Sequence, residues 1–186
     1  TETSGALIHI APVGAVQAAT MFVDPLCPTC KGFHERLAIE GVMDKLDLQI
    51  VLFPLDDACN WMLDRPVHPG ACVVSKAILC SDARAMGVLE WAYENQETII
   101  ATAKSEGGDA GVRALIAARF PDVVACIDKK ETSLRLDKML RFIVDNQLAV
   151  STPQLFLGDQ RLCDEDTDIG LAYTLRKLSP TLGALK

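Results

Sequence analysis

Phe22-Val23-Asp24-Pro25-Leu26-Cys27-Pro28-Thr29-Cys30 is the stretch on which the reading of the whole chain turns. Thr20 to Val23 has strand character, and a Cys-x-x-Cys pair follows it directly, with Pro28 suited to the first turn of a helix. A thiolate at that boundary lies beside unpaired backbone N–H groups and the positive end of the helix dipole, which lowers its pKa. Cys27 is therefore expected to be the exposed nucleophile. Cys30, one turn inward on the same side, is placed to resolve a mixed disulfide. Pro28 shapes the first turn, while Thr29 offers a hydroxyl but no positive charge, so a moderate depression of the Cys27 pKa is expected. Asp24 either modulates the thiols and their proton transfer or is a turn residue before the helix.

Ala6 to Ile10 reads as an earlier strand, followed by the turn signal Pro12-Val13-Gly14, and Leu48 to Phe53 reads as a stronger later one. Between the motif and that later strand, Lys31 to Leu46 carries Phe33, Leu37, Ile39, Val42, Met43 and Leu46 at approximately helical spacing, with Gly41 a weak point. Strand, helix and strand at these lengths make a right-handed βαβ unit with parallel pairing. From Pro69 to about Leu148 the pattern is helical. A first helix begins at Pro69 or Gly70 with Val73, Val74, Ala77 and Ile78 on one stripe; others fit Ala83 to Ala103, Asp109 to Arg119, Asp122 to Ile127 and Ser133 to Asn146. The last of these carries Leu136, Met139, Leu140, Ile143 and Val144. Pro153 to Leu157, a turn at Gly158-Asp159-Gln160, and Arg161-Leu162-Cys163 read as a hairpin, and Asp166, Thr167 or Asp168 caps a final helix ending near Leu178. The class is α/β, with residues 1–55 and 149–186 forming one domain and 56–148 a mainly helical insertion.

Eighteen Lys and Arg stand against 25 Asp and Glu, a net charge of −7 with no basic block, which argues against a nucleic-acid partner. The strongest apolar run, Leu48 to Leu55, is interrupted by Gln49 and Pro54 and is far shorter than the roughly 18 to 20 residues a membrane span needs. Thr1-Glu2-Thr3-Ser4 lacks the basic start and apolar core of a signal peptide, and the first residue is not Met, so a processed or excised form is expected. Seven cysteines among 186 residues are too few for a disulfide scaffold, and their odd number means that pairing alone cannot use them all.

Zinc is the competing reading of Cys-x-x-Cys, but one such pair is half a site. Cys59, His68, Cys72 and Cys80 are separated by 8, 3 and 7 residues, a spacing that matches no ribbon or finger, so no metal is expected. Asp164, Glu165, Asp166 and Asp168 lack the glycine and terminal glutamate of a calcium loop, and helix capping explains them better. His9 reads as a structural strand residue and His34 as a surface residue. No histidine is arranged with a cysteine and Asn or Asp as a protease would require.

A second motif, Ser151-Thr152-Pro153-Gln154-Leu155-Phe156, follows the helical stretch. The two motifs, in this order and with helices between them, give nearly the whole chain a pattern that resembles the thioredoxin superfamily, and within it the DsbA-like disulfide oxidoreductases. The resemblance implies a thioredoxin-like fold with an inserted α-helical subdomain and a cis Pro153 facing the cysteines. It also implies a Thr152 backbone that pairs with extended substrate, a protein thiol–disulfide oxidoreductase activity, and no cofactor. Many members carry a buried acid six residues before the first cysteine; this chain has Met21 there. Leu55 to Cys80, with Leu162 to Asp168, also resembles thioredoxin-like domains attached to vitamin K epoxide reductase-type membrane proteins.

Five cysteines remain. Cys59 and Cys72 flank a turn-rich stretch, and joining them gives a structural disulfide or a second redox pair that relays electrons. Cys80 and Cys126, on helices among apolar neighbours, are either buried thiols or a helix-to-helix disulfide. In the implied fold Cys163 returns towards Pro153 and is left unpaired. The expected partners are protein thiols and disulfides, in a periplasmic or otherwise extracytoplasmic compartment. Two alternatives stand: an electron-relay domain serving a membrane quinone-linked oxidase, tethered through a segment before Thr1, and a non-catalytic binding or chaperone module.

Overall fold

Among the described residues five strands make one sheet: β1 (Ile8–Ile10), β2 (Gln17–Val23), β3 (Leu46–Leu52), β4 (Gln154–Leu157) and β5 (Gln160–Arg161), in the order β1-β3-β2-β4-β5. The computed structural model describes residues 7–162 and 170–182. β2 and β3 run parallel, in register from Gln17 with Leu46 to Val23 with Leu52, and α1 (Pro28–Ile39) is the crossover between them. β1 is antiparallel to β3, β4 to β2, and β5 to β4. Met21, Phe22 and Val23 are all buried, because helices cover both faces of the central strands; that is why β2 ends in a continuous apolar run rather than an alternation.

The helical pattern over Lys31 to Leu46 ends earlier than its apolar spacing suggests. Gly41 takes φ +67°, its N–H donates to the Ala38 carbonyl at 3.0 Å, and the Val42 N–H donates to the Leu37 carbonyl at 2.9 Å. These two bonds form a Schellman stop, for which glycine carries no steric penalty. Leu37 and Val42 stay in the core, Leu46 starts β3, and Ile39 is left 84% exposed.

Six helices lie between β3 and β4: α2 (Ala71–Leu79), α3 (Ala85–Glu94), α4 (Gln96–Lys104), α5 (Gly108–Arg119), α6 (Val124–Ile127) and α7 (Lys130–Asp145). α2 is their hub, with every residue but Lys76 buried. Gly70 opens it at φ +91°, and a Cβ there would sit 3.1 Å from that of Ala103, so both conformation and space call for glycine. The run expected as one helix over 83–103 is two, because Asn95 leaves helical geometry and its side-chain amide donates to the Trp91 carbonyl at 2.8 Å. Cys80 is bonded to Cys126, tying the end of α2 to α6, so the free-thiol alternative for that pair is excluded. Cys59 is bonded to Cys72.

α7 covers the sheet. The Leu52 N–H meets Met139 Sδ at 3.4 Å, and Phe22 stacks on Phe142 at 6.1 Å and meets Phe156 edge-on at 5.6 Å. Leu136, Met139, Leu140 and Ile143 are buried, whereas Val144, expected on the same stripe, lies at its margin, half exposed. α8 (Leu171–Leu178) is the last α-helix among the described residues; the proposed caps Asp166, Thr167 and Asp168, and Cys163, fall outside the described residues. Among the described residues no helix is long and apolar enough to cross a membrane. Phe22→Ala would remove the ring that α7 and β4 share, and urea unfolding should show a loss of about 3–5 kcal/mol.

Candidate active site

Cys27 is the N-cap of α1, with extended backbone at φ −82° and ψ 119°, and Pro28 occupies the first turn. The turn before it is built by Asp24: its carbonyl accepts the Cys27 N–H at 3.2 Å and its Oδ1 accepts the Leu26 N–H at 2.6 Å. The helix therefore presents its amino terminus to a cysteine pair held in place from behind.

The two thiols are unequal. The Cys27 pKa falls from 9.0 to about 5: a hydrogen bond from the Cys30 side chain is the largest cause, burial opposes it, and the Thr29 hydroxyl, the Cys30 N–H and Thr152 add to the lowering. Thr29 Oγ1 lies 2.9 Å from Cys27 Sγ. Burial, and the hydrogen bond and charge of Cys27, push the Cys30 thiol far above its ordinary value. Cys27 sits mid-way in the range of activated cysteines, roughly 3.5 to 7.5. It is also less open than its expected role suggests, at 5% exposure against 1% for Cys30, because the 151–153 loop packs over it.

Pro153 follows a cis peptide bond, and the Cys27 thiol faces the Thr152 carbonyl at 3.8 Å, so the two sequence motifs do meet. Beside this contact runs a groove of about 560 Å³, lined among others by Thr29, Phe33, Arg36, Pro153, Arg161 and Leu162.

Asp24 does more than shape a turn. It is fully buried, and its Oδ2 accepts both the Leu55 N–H at 2.6 Å and the His68 Nδ1–H at 2.8 Å. The Val67 and His68 N–H groups in turn donate to the Leu55 carbonyl at 2.9 and 2.8 Å. Burial alone would lower the His68 pKa; the hydrogen bond and charge of Asp24, then the charges of Cys27 and Asp56, carry it above its ordinary value. Asp56 Oδ2 accepts the Gly70 and Cys72 N–H groups at the start of α2, and its pKa is raised by burial, against those bonds.

His68, Gln96 and Tyr93 are the residues at this site that sequence reasoning missed. From the sequence His68 reads only as a potential metal ligand, in a group whose sulfurs of Cys59, Cys72 and Cys80 are committed to disulfides. Gln96, buried on α4, donates to the Cys27 carbonyl at 2.9 Å and the Pro25 carbonyl at 3.3 Å. Tyr93 is buried, its hydroxyl has no partner, and its pKa is pushed well up by burial and by the charges of Cys30, Asp24 and Cys27. His34, expected on the surface, is buried against the Tyr93 ring at 5.5 Å, with Nε2 3.3 Å from Glu90 Oε1. The spacing of His68 from the cysteines carries no signal for its place; only the fold brings it there.

No protein-family model and no curated protein sequence matches the chain. Solved structures do. A protein-disulfide isomerase from Novosphingobium aromaticivorans superposes with a TM-score of 0.65 at 14% identity, covering 96% of this chain and 98% of that one. Wolbachia pipientis alpha-DsbA1 gives 0.64 at 14% identity, covering 95% and 91%. The catalytic domain of Proteus mirabilis ScsC gives 0.58 at 17% identity, covering 98% and 93%. The chain therefore has the thioredoxin-like fold of the DsbA-like proteins, over almost its full length.

The unequal thiols have a direct readout. In the reduced protein, Cys27 alkylation should rise with pH to a plateau, with a midpoint near 5, while Cys30 stays protected. Thr29→Val, which removes a donor to the thiolate, should move that midpoint upward.

Proposed function

We propose that this chain is a protein thiol–disulfide oxidoreductase in which Cys27 is the nucleophile and Cys30 the resolving thiol. The observation that carries the reading is the asymmetry of the pair: a thiolate-prone Cys27 at a helix amino terminus, beside a Cys30 held as thiol, both under the Thr152–Pro153 loop. In the reducing direction Cys27 thiolate attacks a substrate disulfide and forms a mixed disulfide. Cys30 then gives up its proton and attacks Cys27 Sγ, releasing the second substrate thiol. In the oxidising direction the same steps run backwards. Thr152 and Pro153 bound the groove where the substrate chain would lie, Pro28 and Thr29 set the geometry and hydrogen bonding of Cys27, and Asp24 organises the site from behind. The solved structures named above carry disulfide isomerase, DsbA and ScsC in their descriptions, and they support the same class of activity here.

The proposal extends to organisation and place. Residues 1–55 and 149–186 form the thioredoxin-like domain and 56–148 the insertion. Two disulfides away from the Cys27–Cys30 pair suit an oxidising, extracytoplasmic compartment, where tethering through a segment before Thr1 and a membrane redox partner would complete the electron path. A non-catalytic binding module would not need one cysteine activated and its neighbour silenced.

Cys30→Ser should trap substrate proteins as mixed disulfides on Cys27, and Cys27→Ser should trap none on non-reducing gels. Wild-type protein should catalyse insulin reduction by dithiothreitol. Absence of both trapping and insulin reduction would overturn the enzyme reading.

A further inference from the structure

The Asp24 carboxylate is fully buried, and among the described residues the side chain hydrogen-bonded to it is His68. A carboxylate removed from water needs donors and a countercharge. Two backbone N–H groups supply donors, and the imidazole supplies a third that can also carry charge. Nothing between the cysteines does so, since Pro28 and Thr29 are neutral. The cations of α1 pair within the helix, Lys31 with Glu35 at 4.0 Å and Arg36 with Glu40 at 3.9 Å. His68 reaches the site from the loop before α2, held by its own N–H on the Leu55 carbonyl and enclosed by the Cys59–Cys72 disulfide.

We propose that His68 is a positioning residue for thiol exchange: fixed on Asp24, its imidazolium supplies the positive charge that stabilises the reduced site, and it releases a proton when the site is oxidised. This rests on the oxidoreductase reading above. Its direct partner is Asp24, just after β2, whose carbonyl accepts the Cys27 N–H. The charges acting on it are those of Asp24, Cys27 at the N-cap of α1 and Asp56 in the loop after β3, and the Tyr93 hydroxyl of α3 is acted on by Asp24 and Cys27 as well. Of these groups, Cys27 is the one whose thiolate appears only on reduction.

The coupling follows from proton and electron balance. When two substrate thiols are oxidised, their S–H bonds break, a substrate disulfide forms, and two electrons pass to the Cys27–Cys30 bond. One of the two released protons ends on Cys30 Sγ and Cys27 is left as thiolate. The other is taken by His68 in the pH window between its proton affinities in the two redox states, and by solvent outside it. Because linkage is reciprocal, whatever factor the Cys27 thiolate adds to the proton affinity of His68, the imidazolium removes from that of Cys27.

Two measurements on the intact chain test this. His9, His34 and His68 are the histidines, so NMR titration of the His68 ring can be assigned with one variant. Its midpoint should be higher in the reduced than in the oxidised protein, and identical midpoints would overturn the proposal. In His68→Asn, which keeps an N–H for Asp24 but no charge, the Cys27 alkylation midpoint should rise by about one pH unit. The equilibrium with glutathione should shift about tenfold against the reduced form, roughly 30 mV. His68→Lys, charged throughout that range, should restore the low midpoint. An Asn variant that titrates like wild type, or a Lys variant that titrates like the Asn variant, would show a purely structural residue and sink the idea. If the substitutions do not fold, the wild-type ring titration decides alone. None of these readouts uses a protein substrate, so a failure of insulin reduction would count against the oxidoreductase reading and leave this result separate.

Discussion

The buried carboxylate of Asp24 is the constraint around which the site is arranged. Through its two oxygens it binds the amide before Cys27, the amide of Leu55 just past β3, and the imidazole of His68 at the entry to the helical stretch. Three segments far apart in the chain thereby meet behind the cysteines. The aspartate cannot be moved into water without releasing all three, and an unpaired buried carboxylate is costly enough to hold them together. Gln96 closes the arrangement from α4 by donating to the Pro25 carbonyl and to the Cys27 carbonyl, which also accepts the Lys31 N–H.

That scaffold explains how two neighbouring thiols come to behave oppositely. Burial opposes ionisation of both, yet Cys27 collects hydrogen bonds from Cys30 and Thr29, while Cys30 lies deeper and faces the Cys27 charge. A bond that stabilises the thiolate on one sulfur thus holds the proton on the other. The proposed exchange chemistry needs this order: one thiol ready to attack, the other kept neutral until a mixed disulfide has removed the first charge.

The helices between β3 and β4 contribute residues to this site. α2 is buried almost throughout, and the loop before it delivers His68, while α3 and α4 deliver Tyr93 and Gln96. Cys59–Cys72 and Cys80–Cys126 brace the two ends of α2, one beside the His68 loop and the other against α6. These helices and the loop before them therefore supply partners to the turn that carries the cysteines, while the Thr152 carbonyl meets Cys27.

Much of this was legible from residues alone, and the reason is local. A strand, Cys-Pro-Thr-Cys and a helix are encoded by contiguous side chains, as are the parallel βαβ unit and the hairpin beginning at Pro153; each element's period and its turn residues lie within a few positions of one another. Gly41 was visible as a weak point, but that it stops α1 outright depended on Val42 and Leu46 finding the core. Asp24 stands open between two roles because a carboxylate near a helix start serves either; its burial and its bonds to Leu55 and His68 come from segments far along the chain. His68 and Gln96 lie 41 and 69 positions after Cys27, and His34, only four after Cys30, was misplaced because what buries it is Tyr93 on another helix. The order of elements and the choice of the proposed reactive pair are thus properties of the sequence by itself. The partners that set the charge of that pair were decided only by the tertiary structure, because electrostatic coupling depends on distance and burial in space and leaves no periodic trace along the chain.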